Sequence, residues 1–179
     1  PETVTGLAYG CFNSCANLAT VAIPTSVTSL GRYAFGDCPA LVELTIPIEL
    51  MRADYLDGVF RKDRDTYGST TNVRTIHFTA NADGVQPNMY NAKAGSDNYS
   101  SNYFFALPYL CREALTHVDF AEGVTHIGNH AFHGCSALTE VVLPDSLESL
   151  GDYAFSGCSA LTGVPALPEG FVTLGNYCF

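Results

Sequence analysis

The chain has 179 residues, 47% of them hydrophobic, which is enough for a continuous core and excludes a disordered polymer. Eight Lys and Arg stand against 18 Asp and Glu, giving a formal net charge of -10 and a pI near 4.6. That balance argues against nucleic acid and anionic lipid as partners, because both are held by clustered cations, and the chain contains no run of about 18 apolar residues of the kind that spans a bilayer.

In chain order, the first unit opens on Cys11-Phe12-x-x-Cys15. Leu18, Val21 and Ile23 follow, and their alternation reads as a short strand. Pro24 ends it, because proline cannot donate to a sheet ladder. Val27 and Leu30 form a second short extended segment, and Gly31 is a turn residue. Ala34-Phe35-x-x-Cys38 has the spacing of one helical turn with Phe and Cys on its buried side. The series then restarts with Leu41, Leu44, Ile46 and Pro47. Degenerate strands lie at Val73-Ile76-Phe78 and Leu115-Val118-Phe120. Regular units resume with Val124, Ile127, Gly128 and Ala131-Phe132-x-x-Cys135, then Leu138, Val141, Leu143 and Pro144. Leu147, Leu150, Gly151 and Ala154-Phe155-x-x-Cys158 repeat the pattern, and Leu161, Val164 and Leu167 are a last degenerate strand before Gly175 and Cys178.

The pitch is constant between regular units: Leu18 recurs as Leu41, and Leu115 as Leu138. A fixed period of about 23 residues marks a repeat solenoid. No signal peptide precedes Pro1 and the chain stops at Phe179 inside a repeat, so a portion of a longer protein is expected. One domain, 1–179, is expected, with regular units over 1–47 and 111–179. The expected strand centres are Val21, Leu44, Ile76, Val118, Val141 and Val164, whose sequence numbers rise in steps of 23, 32, 42, 23 and 23. Two units therefore carry insertions, within 48–72 and 79–108, with Phe60 as the match to the Ala-Phe position in the first and Tyr109 resuming the register after the second.

These residues resemble the BspA-like, or Treponema pallidum-type, leucine-rich-repeat surface protein family. Ala-Phe-x-x-Cys, the proline after the strand and the constant pitch carry the resemblance over about two thirds of the chain. It implies a right-handed leucine-rich-repeat superhelix of short β-strands with short helical turns. It also implies a secreted or cell-surface, bacterial, adhesive protein that binds host matrix proteins or other cells, with no catalytic motif.

The cysteines follow the register. Cys15, Cys38, Cys135 and Cys158 share one position, beside the Phe12, Phe35, Phe132 and Phe155 position. Cys11 and Cys178 fall where other units have Ala34, Ala131 and Ala154. A position that takes Cys or Ala is small and buried, so a ladder of free thiols is expected rather than a disulfide framework, and no CxxC pair offers a zinc site. Cys111 stands one residue off the ladder and is expected to be the most accessible thiol.

Candidate binding residues come from two places. Tyr55, Tyr67, Tyr90, Tyr99, Tyr103 and Tyr109 lie in or beside the insertions; the first also packs Asp54, Asp57, Asp63 and Asp65 with Arg52, Arg61, Lys62 and Arg64, and the second is rich in Asn, Ser and Gly around Tyr, a composition suited to recognition loops. The other reading is drifted repeats with Tyr rings packed back on the scaffold. Glu43, His77, His117, Asp119 and Glu140 are outward positions of the strands, with Thr45, Thr75 and Val142. No aromatic stripe runs on that face, so a carbohydrate platform is not favoured there, while His77 and His117 make a pH-sensitive surface conceivable.

Other constellations carry less. His126, His130 and His133 fall at variable positions and read as solvated histidines rather than a metal site. Asp54, Asp57, Asp63 and Asp65 lack the Gly and distal Glu of a calcium loop. No phosphate loop, nucleophile elbow or HExxH is present. Asn98-Tyr99-Ser100 fits a glycosylation sequon. No metal or cofactor is expected. The function expected is a non-enzymatic extracellular or cell-surface module that recognises a protein or glycan. A structural spacer in a larger surface protein is the alternative, and an unrecognised hydrolase a distant one.

Overall fold

The computed structural model describes residues 3–51, 58–60, 72–80, 88–89 and 113–179. Eleven short strands are found among them: β1 Gly6–Leu7, β2 Thr20–Ala22, β3 Ser29–Leu30, β4 Glu43–Pro47, β5 Thr75–Thr79, β6 Asn88–Met89, β7 His117–Phe120, β8 His126–Ile127, β9 Glu140–Val142, β10 Ser149–Leu150 and β11 Thr173–Leu174. All pairings among them are parallel. The main sheet has the order β2-β4-β5-β7-β9, a second sheet has the order β11-β10-β8-β6, and β1 pairs with β3.

The main-sheet register is the repeat made visible. Val21 pairs Leu44, Leu44 pairs Ile76, Ile76 pairs Val118 and Val118 pairs Val141. The two long steps, Leu44 to Ile76 and Ile76 to Val118, keep the register of the short ones, so both insertions are accommodated without shifting the ladder. Leu44, Ile76 and Val118 point inward and are fully buried, while the residues beside them alternate outward. The proline rule holds in part: Pro24 and Pro144 lie beyond β2 and β9, but Pro47 is the last residue of β4 and pairs with Thr79.

Two expectations are corrected. The degenerate copy at Leu161, Val164 and Leu167 is not a strand, and Val164 is largely exposed. In register with β9, Pro165 would face Val142, where it has no N–H to give to a parallel neighbour. This unit also carries one extra residue, since Ser149 pairs with Thr173 whereas His126 pairs with Ser149.

The Ala-Phe-x-x-Cys segment is not a helical turn. The residue just before it and the residue before its Cys take the left-handed backbone region: Tyr33, His130, Tyr153 and Tyr177 at φ 51–58°, and Asp37, Gly134 and Gly157 at φ 52–78°. Left-handed residues interrupt a right-handed helix. The segment is a chain of turns that hands hydrogen bonds to its neighbour, as in Phe132 N to Ala154 O (2.7 Å) and Phe155 N to Cys178 O (2.7 Å). The one helical element among the described residues is a 3-10 turn, Ile48–Met51.

The core is a ladder of equivalent side chains. Phe12, Phe35 and Phe60 stack at centroid distances of 5.4 and 5.7 Å, and Phe132, Phe155 and Phe179 at 5.1 and 5.5 Å. Phe78 and Phe120 stack at 5.0 Å and meet Phe132 edge-on. Phe12, at one end, is 41% exposed.

None of the described cysteines is in a disulfide. Cys135, Cys158 and Cys178 are buried, Cys15 and Cys38 half-buried, and Cys11 exposed. Cys11 therefore departs from the expectation of a small buried position, because it lies in the first unit of the described chain, at the open end of the stack. The thiols of Cys38 and Cys158 donate to the carbonyls of Phe12 and Phe132, both at 3.2 Å. Burial pushes the Cys158 thiol up to about 11 and also raises Cys38 and Cys178. A thiolate is the reactive form. An alkylating reagent near pH 8 is thus expected to modify Cys11 in the native protein and to reach Cys135, Cys158 and Cys178 only after denaturation. Peptide mapping by mass spectrometry reads this directly, and rapid native labelling of Cys158 would contradict the ladder. Cys111 lies outside the described residues.

Candidate functional site

β4, β5 and β7 are buried on one face and β9 is half-buried beside them, so their alternate residues must point outward together. Glu43, Thr75, His117 and Glu140 share one register row, and Thr45, His77, Asp119 and Val142 the next. Five ionisable side chains from these two rows form a continuous line. Glu43 Oε1 lies 3.5 Å from His77 Nε2, and His77 Nδ1 is hydrogen-bonded to Asp119 Oδ2. The same oxygen meets His117 Nε2 at 3.0 Å, and His117 Nδ1 meets Glu140 Oε2 at 3.0 Å. Carboxylate and imidazole alternate across four strands, with every ring nitrogen facing an oxygen.

Burial alone would lower the His117 pKa, but the hydrogen bonds and charges of Glu140 and Asp119 outweigh it, and the net shift is upward. The inner side chains of the line are 25–33% exposed, while Glu43 and Glu140 are 51% and 64% exposed. A ligand approaching the sheet would thus meet anionic rims around a histidine pair.

The structure places the other candidates differently. Tyr55, Tyr67, Tyr90, Tyr99, Tyr103 and Tyr109 lie outside the described residues, as do Asp54, Asp57, Asp63, Asp65 and the Asn98 sequon. The three histidines read as solvated are only partly so. His126 is half-buried in β8 and hydrogen-bonded to Ser149 Oγ at 2.6 Å. His130 is half-buried and stacks on Tyr153 at 4.9 Å, with His133 edge-on to it at 5.5 Å.

Tyr153 in turn stacks on Tyr177 at 5.2 Å. An aromatic column, His130-Tyr153-Tyr177, therefore runs along the turns rather than the sheet. Sequence reasoning missed it by treating the residue before Ala-Phe as variable, although it is Tyr or His at 33, 130, 153 and 177.

Burial lowers the pKa of His126, and burial followed by the charge of His133 lowers that of His130. An imidazole in the unfolded chain then binds its proton at higher pH than the folded one. As pH falls through the ordinary value of 6.5 the unfolded state holds more protons, and stability falls. His117 acts in the opposite sense: its stabilisation is present at low pH and is lost as pH rises through its raised pKa. His126→Gln is expected to lessen the loss of stability between about pH 7.5 and about 5.5. Urea midpoints measured across that range check it, and a pH dependence identical to the wild type would contradict it.

Among curated proteins, none matches the chain. It is similar to a leucine rich cell surface protein from Faecalibacterium prausnitzii, at 23% identity and a TM-score of 0.47. That match covers 98% of this chain and 40% of the other. A leucine-rich repeat protein from Bacteroides ovatus is 21% identical with a TM-score of 0.47, over 100% of this chain and 45% of that one. The T. pallidum leucine rich repeat protein is 22% identical with a TM-score of 0.39, over 96% and 67%. The chain thus spans less than half the length of the first two. In the family comparison, the BspA type leucine rich repeat region matches in six copies over residues 1–92 and 101–179, and the chain belongs to that family.

Proposed function

We propose that this chain is a non-enzymatic binding module, secreted or held at the cell surface, that recognises a protein or a glycan. The observation that carries the reading is the line Glu43-His77-Asp119-His117-Glu140 on the outward face of a rigid parallel sheet. Repeat proteins use such extended faces for recognition. Membership of the BspA-type repeat family supports a binding rather than a catalytic role. The fold that serves it, in this reading, is a single right-handed solenoid over 1–179 with about 23 residues per unit, and the Tyr-bearing insertions extend its surface. A host matrix protein or a cell-surface glycan is the partner class, and adhesion the biological outcome.

The test is a binding screen of the whole chain against matrix proteins and a glycan array, followed by two variants. Glu43→Gln with Glu140→Gln is expected to weaken the selected interaction by about 10-fold, the scale for charged groups at an interface. Deletion of 79–108 reports the contribution of the second insertion. Binding that survives the sheet variant and is lost with the deletion moves the site to the insertion. No binder in either screen favours the structural spacer.

A further inference from the structure

We propose that His77, His117 and Asp119 form a binding site for one divalent transition-metal ion of the zinc type. The three side chains can each present a donor atom with all donors within 4.8 Å of one another. In a tetrahedral zinc site, ligand distances near 2 Å place the donors about 3.3 Å apart. Here Asp119 Oδ2 already touches both rings, with His117 Nε2 at 3.0 Å. The backbone holds the triad in place: His117 and Asp119 are alternate residues of β7, and His77 is the register partner of Asp119 on β5.

The surroundings suit a metal rather than a simple ion pair. The second nitrogen of each ring faces a further carboxylate, Glu43 on His77 at 3.5 Å and Glu140 on His117 at 3.0 Å. The Glu140 contact is the outer-shell hydrogen bond which fixes the tautomer and raises the basicity of a metal-ligating histidine, and Glu43 adds a negative charge beside the His77 ring. Two nitrogen donors in three disfavour calcium and magnesium, which take oxygen ligands. The triad is 25–33% exposed, so the fourth coordination position opens to solvent and can take water or a group from a partner. Short-range spacings in the sequence carry no sign of this site, because its ligands come from strands joined through the longer of the two insertions. The inference goes beyond the binding reading and does not depend on it, because a metal titration needs no partner.

The experiment titrates the whole chain with Zn(II) by calorimetry and with Co(II) by visible absorption, under reducing conditions. One equivalent is expected to bind, with the d–d spectrum of a tetrahedral nitrogen–oxygen site and no near-ultraviolet thiolate charge-transfer band. His77→Ala with His117→Ala is expected to abolish it, and His117→Gln does the same with less change of shape. Glu140→Gln keeps the stoichiometry and weakens binding by about 10-fold or more. Circular dichroism confirms that each variant is folded. No saturable equivalent in the wild type, the same binding in folded histidine variants, or a thiolate band on the bound cobalt would each overturn the proposal.

Discussion

Phe132→Ala is expected to cost about 3–5 kcal/mol of stability, the range for removing a fully buried aromatic side chain. Phe132 has no exposed surface. Its ring stacks on Phe155 at 5.1 Å and takes the edges of Phe78 and Phe120 at 6.0 and 5.9 Å. It therefore joins the regular units after residue 124 to the long strands β5 and β7, and its loss opens a cavity on both sides at once. In a repeat protein each unit is stabilised by its nearest neighbours, so a defect at a junction weakens two interfaces. The same substitution at Phe12 is the control. That ring is 41% exposed and, among the described residues, stacks only on Phe35, so Phe12→Ala is expected to cost about 1 kcal/mol. Urea denaturation of the two variants checks the contrast. Equal costs would mean that the Phe ladder does not carry the core.

Much of the fold can be read from the residues because the repeat supplies its own alignment. Leu44, Ile76 and Val118 fall into one ladder despite the insertions between them, since each sits between the same apolar neighbours. The turn misleads for a physical reason. Phe and Cys at a spacing of three fit a helical turn, and they fit equally well a turn with two left-handed residues. The discriminating signal is glycine: Gly10 stands where other units have Tyr33, His130 and Tyr153, while Gly134 and Gly157 stand where Asp37 does. A position that accepts glycine in register points to left-handed backbone. The site is legible only in part. Period two places His77, His117 and Asp119 on the outward face, but their mutual contact depends on side chains reaching between adjacent register rows. The aromatic column escapes notice for a related reason, because its rings lie on the turns and meet only when the units stack.

Gly151→Ala is expected to destabilise the protein by about 3 kcal/mol, through overpacking that the surroundings cannot relieve. Its place in the repeat reads as that of a turn residue, yet none of Gly31, Gly151 and Gly175 has a positive φ. What each requires is space. A Cβ at Gly151 would lie 2.4 Å from the backbone nitrogen and the Oδ1 of Asn129 and 2.7 Å from the carbonyl carbon of Gly128. Backbone atoms of the adjacent unit cannot rotate away as a flexible side chain can. Moving them would strain Gly151 N to Ile127 O, at 2.8 Å, and Asp152 N to Asn129 Oδ1, also at 2.8 Å. The close approach is thus part of how the second sheet pairs. Two further glycines separate the causes. Gly163 has open space and ordinary backbone, so Gly163→Ala is expected to change stability by less than about 0.5 kcal/mol. Gly134 also has open space but a φ of 75°, so Gly134→Ala is expected to cost about 1 kcal/mol from backbone conformation alone. The order Gly151, Gly134, Gly163 in chemical denaturation is the required result. If Gly151→Ala were no worse than Gly134→Ala, close stacking of the units would not be what this glycine serves.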